Sequence, residues 1–102
     1  MLDHALEAVA MTEGKIRADL NEDRQLNLAL VRLLEIIGEA ATRIPKEDQA
    51  RYTDISWPEI VSLCNRLIHG YDTVDFDILW QIVKQDLPGL IGFLRKILRE
   101  EG

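Results

Sequence analysis

Cys64, Asn65, Arg66, His69 and Tyr71 crowd the residues most capable of chemistry into one short run of this chain. At about 100° per residue on a helix, Ser62, Asn65, Arg66 and His69 share one arc. Ile60, Val61, Leu63, Cys64, Leu67 and Ile68 share the opposite, apolar one. His69 follows Asn65 by four residues and Arg66 by three, so the three converge at the helix end. An imidazole exchanges a proton near neutral pH and serves as general base or acid. A guanidinium holds a phosphate through two parallel N–H bonds. The two roles suffice to cut RNA without a metal: one deprotonates a ribose 2′-hydroxyl, the other stabilises the charged phosphorane. Tyr71 offers a ring to stack on a base, a phenol donor, or a point of modification. Plainer roles stay open for the same residues. A histidine at a helix C-terminus also complements the helix dipole, and Asn and Arg on a polar arc are commonly just solvated.

The elements that must hold these side chains read as helices. Apolar residues recur at spacings of three and four, and neither sustained alternation nor an Asn-Gly or Asp-Gly turn marks a strand. Leu2, Leu6, Val9 and Ile16 predict a first helix over 2–19, weakened by Gly14. Asn21-Glu22-Asp23 reads as a turn or cap. Leu26, Leu30, Leu33, Ile37, Ala40, Ala41 and Ile44 form one stripe of a second helix over 24–43, which Pro45 ends. Leu28 and Val31 fall off that stripe, as expected of a central bundle helix or of one with a dimer contact. Residues 46–55 read as a polar connection. Ser56-Trp57-Pro58-Glu59 is a capping box with proline in the first turn. It opens a third helix that runs to about residue 69, where Gly70 stops it. Asp75 caps a fourth helix to about residue 85. Pro88 and Gly89 separate that from a last helix to about residue 99. The expected fold is all-α, a single domain over 1–102, arranged as an antiparallel bundle of four to five helices.

Composition narrows the function. A chain of 102 residues with 47% apolar and 29% charged residues is globular, not disordered. A domain this small buries only roughly 60–70% of its unfolded surface, so pairing with a second copy would stabilise it. The formal net charge of −6 repels phosphates at long range, so an RNA substrate needs a local basic patch. One cysteine excludes an intrachain disulfide and fits a reducing cytoplasm. His4 and His69 are far apart and no Cys/His cluster has zinc spacing, so neither metal nor cofactor is expected. Asp3, His4 and Glu7 interrupt any apolar leader, and Arg32 and Glu35 interrupt the longest apolar stretch, so no membrane segment is expected.

The motif and its surroundings resemble the HEPN nucleases of the HepT type, whose signature reads Arg, four residues, His, one residue, Tyr. The resemblance extends over roughly 24–98. Leu34-Glu35-Ile36-Ile37-Gly38-Glu39-Ala40-Ala41 is similar to the family's second-helix signature, and Ile55-Ser56-Trp57-Pro58 to the start of its motif helix. His69-Gly70-Tyr71 is followed by Val74-Asp75 and Trp80, and Asp86-Leu87-Pro88-Gly89-Leu90 resembles the family's last turn. The first twenty or so residues match weakly. The resemblance implies a HEPN-like bundle and a homodimeric, metal-independent ribonuclease toxin of the HepT/MntA, type VII toxin–antitoxin system. It implies that motif helices of two subunits meet across a cleft, with His69 as the catalytic histidine and Asn65 and Arg66 at polar motif positions. Glu39 is implied as a support of the site. The implied partner is an MntA-like nucleotidyltransferase antitoxin that adds AMP to Tyr71. AMP there would set phosphate charge and bulk against the substrate phosphate.

Cys64 departs from the pattern, standing where the family has its arginine. A neutral thiol supplies neither a fixed positive charge nor a forked donor. Losing one such phosphate clamp costs on the order of 10²–10³ in rate, so attenuated or absent activity is expected of this chain. Two other classes of function are compatible with the departure. One is an inert helical module that binds a nucleotidyltransferase, and the other is a substrate-binding subunit for such an enzyme.

Overall fold

The computed structural model describes residues 1–53, 55–68 and 75–101; within these, the side chains of 63, 64, 66–68, 100 and 101 are not described. Among the described residues the regular elements are all helical, in the order α1 (Leu2–Met11), α2 (Asp19–Glu22), α3 (Arg24–Arg43), α4 (Lys46–Arg51), α5 (Trp57–Ile68), α6 (Phe76–Gln81), one π-helical turn (Ile82–Asp86) and α7 (Leu87–Glu101). The all-α expectation holds.

α3 has the bounds its sequence pattern predicts. Asp23 begins it, with Oδ1 accepting the Leu26 N–H at 3.0 Å, which satisfies one of the donors a helix start leaves open. Leu26, Leu30, Leu33, Leu34, Ile37 and Ala41 bury one face. That face packs on α1, α2 and α5, so α3 is the central helix. α1 closes the other side against α7, burying Ala5 and Ala8, small enough to admit a close approach. Leu28, off the stripe, is 54% exposed.

Three expectations about element ends are corrected. The first helix stops at Met11 and does not reach residue 19. Thr12 is fully buried, its hydroxyl turns back to the Val9 carbonyl at 2.9 Å, and Lys84 Nζ donates to the Thr12 carbonyl at 2.9 Å. Gly14 then takes φ +74°, a left-handed conformation that glycine adopts without the Cβ penalty. The chain re-forms one helical turn, α2, which buries Leu20.

The polar connection of 46–55 contains a helix, α4. Pro45 supplies a fixed φ at its start, Glu47 and Asp48 lie in the first turn and Arg51 in the last, the charge order that complements the helix dipole. Gln49 Nε2 donates to the Ile44 carbonyl at 2.9 Å and ties α4 back to the end of α3.

Pro88 and Gly89 do not separate two helices. Asp75 caps α6 as expected, its Oδ1 accepting from Asp77 N at 2.9 Å and Ile78 N at 3.2 Å. The helix then widens into the π turn, where the Leu87 N–H reaches back five residues to the Ile82 carbonyl. A proline clashes with the carbonyl four residues before it in a regular helix. The wider turn carries the backbone past Pro88, and α7 continues to Glu101. Ile82, Val83, Leu87, Leu90 and Ile91 keep one face buried throughout.

Candidate functional site

α5 is held at its start. Ile55 and Trp57 are each 4% exposed, and the Trp57 indole N–H donates to the Tyr52 carbonyl at 3.3 Å. The Ile55 and Trp57 amides complete the turn through bonds to the carbonyls of Tyr52 and Ile55 at 3.3 and 3.1 Å. From that anchor the helix runs along α3, with Ile60 and Val61 packed against the core. Ser56 lies one residue before the first helical residue and Glu59 in the first turn, the positions the capping-box pattern assigns.

Ser62 and Asn65 point away from the core and are exposed. Both line an open cleft of about 490 Å³ between α5 and the C-terminal end of α3. Ala41 and Thr42 of α3 and Gln49 of α4 form the facing wall, while Trp57, Pro58 and Val61 form the floor on α5. The cleft thus sets hydroxyl and amide groups over an apolar base. The Asn65 amide and the Ser62 hydroxyl can donate to phosphate or sugar oxygens, and an apolar floor accepts a base or ribose face.

Of the expected site residues, Asn65 is brought to the cleft. Glu39 is exposed on α3 and does not line it; its carbonyl accepts the Thr42 hydroxyl at 2.6 Å. Cys64 and Arg66 belong to α5, with side chains outside the described residues. His69, Gly70 and Tyr71 also lie outside the described residues; the described helix runs to Ile68.

Sequence reasoning passed over Thr42 and Gln49. Gln49 was hidden because 46–55 reads as loop, although Pro45 followed by Glu47, Asp48 and Arg51 is a helix signal in its own right. Nothing in the apolar stripe of α3 singles out Thr42.

A pair of carboxylates borders α5. Asp86, in the π turn, lines a recess of about 250 Å³ with Glu59. Burial, ahead of the nearby Glu59 carboxylate, pushes the Asp86 carboxyl above its usual range. Among the described residues no group of three or more His, Cys, Asp or Glu is arranged to hold a metal ion, and no helix is long and apolar enough to cross a membrane.

Comparison with known proteins gives a consistent picture. A family model described as ribonuclease HepT-like matches residues 1–97. The chain is 36% identical over 100 residues to a protein of Thermococcus cleftensis named "Probable ribonuclease HepT", covering 94% of this chain and 91% of that protein. It is 33% identical over 104 residues to a Caldanaerobacter subterraneus protein named "Putative RNase TTE0752", covering 98% of this chain and 93% of the relative. No solved structure matches it at a significant level.

Proposed function

Because this chain belongs to the ribonuclease HepT-like family, we propose that it is an RNA-cleaving toxin that works without a metal and whose activity Cys64 attenuates. The observation that carries the proposal is Asn65, exposed on α5 and lining an open cleft four residues before His69. In this reading His69 takes the proton of a ribose 2′-hydroxyl and returns one to the leaving oxygen. Arg66 and Asn65 bind the phosphate oxygens as negative charge develops on them. Two copies pair so that their α5 helices face one another across the substrate. An MntA-like nucleotidyltransferase is the antitoxin, adding AMP to Tyr71 and so placing a phosphate beside the substrate's own. Glu39 supports α3 near the cleft without touching substrate.

Cys64 supplies the test. Restoring the clamp with Cys64→Arg is expected to raise cleavage of a labelled single-stranded RNA by about 10²–10³, in buffer containing a chelator. Adding His69→Ala to that variant is expected to abolish the gain. A Cys64→Arg protein no more active than the parent sinks the catalytic reading. Cys64 also favours a second reading, an inert module that only binds the nucleotidyltransferase. Stable complex formation by a protein that stays inactive after Cys64→Arg selects that reading.

A further inference from the structure

A chain of net charge −6 that cuts RNA must hold its substrate through a local concentration of cations. α7 contains one. Arg95, Lys96 and Arg99 lie together on it, ahead of Glu100 and Glu101 at its end. Lys96 lines a recess of about 190 Å³ between α7 and the connection from α4 to α5, together with Arg51, Tyr52, Thr53 and Phe93. The Arg51 guanidinium stands over the Tyr52 ring, 5.4 Å from its centroid. Arg51 and Lys96 are exposed, and among the described residues neither forms a salt bridge with a carboxylate. Phe93 is 38% exposed and lies three residues before Lys96, on the same side of α7.

We propose that this recess binds a stretch of single-stranded RNA outside the cleavage cleft, with phosphates on Arg51 and Lys96 and a base stacked on Phe93. The proposal rests on the ribonuclease reading and names how an acidic protein grips its substrate. Stacking on Tyr52 holds the Arg51 guanidinium in place before the ligand arrives, so less side-chain freedom is lost on binding. Thr53 adds a hydroxyl donor beside the two cations. The recess is smaller than the roughly 300–1,000 Å³ of sites that enclose a whole small-molecule ligand. It suits one unit of a polymer that continues across the surface. Ile55 lines it too, and from Trp57, where α5 starts, eight residues of helical rise to Asn65 make about 12 Å. That rise is about three to four stacked nucleotides at 3.4 Å each. Stacking reads every base, so the contact extends grip without imposing sequence.

The test is fluorescence anisotropy with a labelled twelve-nucleotide oligouridine RNA, in the His69→Ala protein so that the strand survives. Arg51→Ala with Lys96→Ala is expected to weaken binding about ten-fold. The plot of log affinity against log salt is expected to become shallower by about 1.4, the loss of two single-strand phosphate contacts. Phe93→Ala is expected to weaken binding about ten-fold at every salt concentration with the slope unchanged. Lys15→Ala with Arg24→Ala, two exposed cations elsewhere, is expected to change neither quantity. Unchanged affinity and slope in the Arg51/Lys96 pair overturns the proposal, and so does an equal loss in the Lys15/Arg24 pair. Equally tight, equally sensitive binding of a duplex RNA overturns it as well, since a base in a duplex has no free face for Phe93. Capture of an acidic protein at the recess without RNA binding does the same. Cleavage is scored separately with Cys64→Arg. Cleavage that survives alongside anisotropy indifferent to the recess variants removes the recess and leaves the enzyme. Recess-dependent binding without cleavage removes the enzyme and leaves the recess.

Discussion

At the start of α5, Ile55 and Trp57 are almost wholly covered and the indole N–H is occupied by the Tyr52 carbonyl. Further along the same helix, Ser62 and Asn65 are exposed, turned toward a cleft. The first region is close-packed and polar-satisfied, the second leaves polar groups open to a ligand. A helix can present such groups in a fixed direction only if something else fixes the helix. Here the buried anchor is at one end and the open polar groups toward the other, so a change at Asn65 is expected to act on the cleft without acting on the anchor.

Trp57→Ala is the strongest way to break that separation. Removing a buried indole and leaving its cavity costs roughly 3–5 kcal/mol. In a domain of about 100 residues each kcal/mol moves the thermal midpoint by roughly 4–8 °C, so a drop above 12 °C is expected by circular dichroism. Activity should disappear with the fold. A midpoint within a few degrees of the parent would show that α5 is not anchored there.

Asn65→Ala probes the other end. The side chain is exposed, so the unfolding free energy should stay within the roughly 0.5 kcal/mol typical of surface changes. In the Cys64→Arg background, cleavage of single-stranded RNA should fall by roughly ten- to a hundred-fold, since one donor to the phosphate is gone. A parallel loss of stability would mean that the two ends of α5 do not divide their labour.

Asp23→Ala sharpens the contrast from across the cleft, because α3 supplies the facing wall through Ala41 and Thr42. Losing the carboxylate that accepts the Leu26 N–H is expected to cost about 1 kcal/mol in urea unfolding. The cleavage rate of the folded fraction should be unaltered, because the cap lies at the end of α3 remote from Thr42. A rate change would show that the wall moves with its far end.

The same contrast explains what was legible in the sequence. α3 could be read to the residue because Asp23, a long unbroken apolar stripe and Pro45 each act locally, and all three agree. The polar arc of α5 was legible as well, since Ser62 and Asn65 stand off the apolar residues by simple periodicity. The ends of α1 and α6 were not. Thr12 is buried and Lys84, 72 residues away, donates to its carbonyl, and no local pattern announces such a partner. Pro88 looked like a stop because local rules assume a regular helix before it, whereas the π turn removes the clash. The cleft's far wall was invisible for a third reason: Gln49 joins Thr42 opposite α5 only once α4 has folded back onto the end of α3.

Asp86→Asn carries the smallest expected effect and tests the edge of α5 that faces neither core nor cleft. Asp86 and Glu59 border one recess, and burial ahead of Glu59 raises the Asp86 carboxyl above its ordinary range. A raised acid favours its neutral form in the folded chain. Its contribution to stability is therefore full below the unfolded carboxylate range and is lost as pH climbs through the raised value. At neutral pH the parent carries a charge its surroundings resist, and the amide does not. Asp86→Asn is thus expected to unfold slightly later than the parent at pH 7, with the difference shrinking to nothing as pH falls below the carboxylate range. Since Asp86 is largely exposed, solvent screening keeps the gain small, roughly a degree or two in the thermal midpoint. A gain that persists unchanged in acid would mean that the carboxylate charge is not its source. A lower midpoint at pH 7 would mean that the ionised Asp86 stabilises the π turn, and that this edge of α5 is held by charge where its start is held by packing.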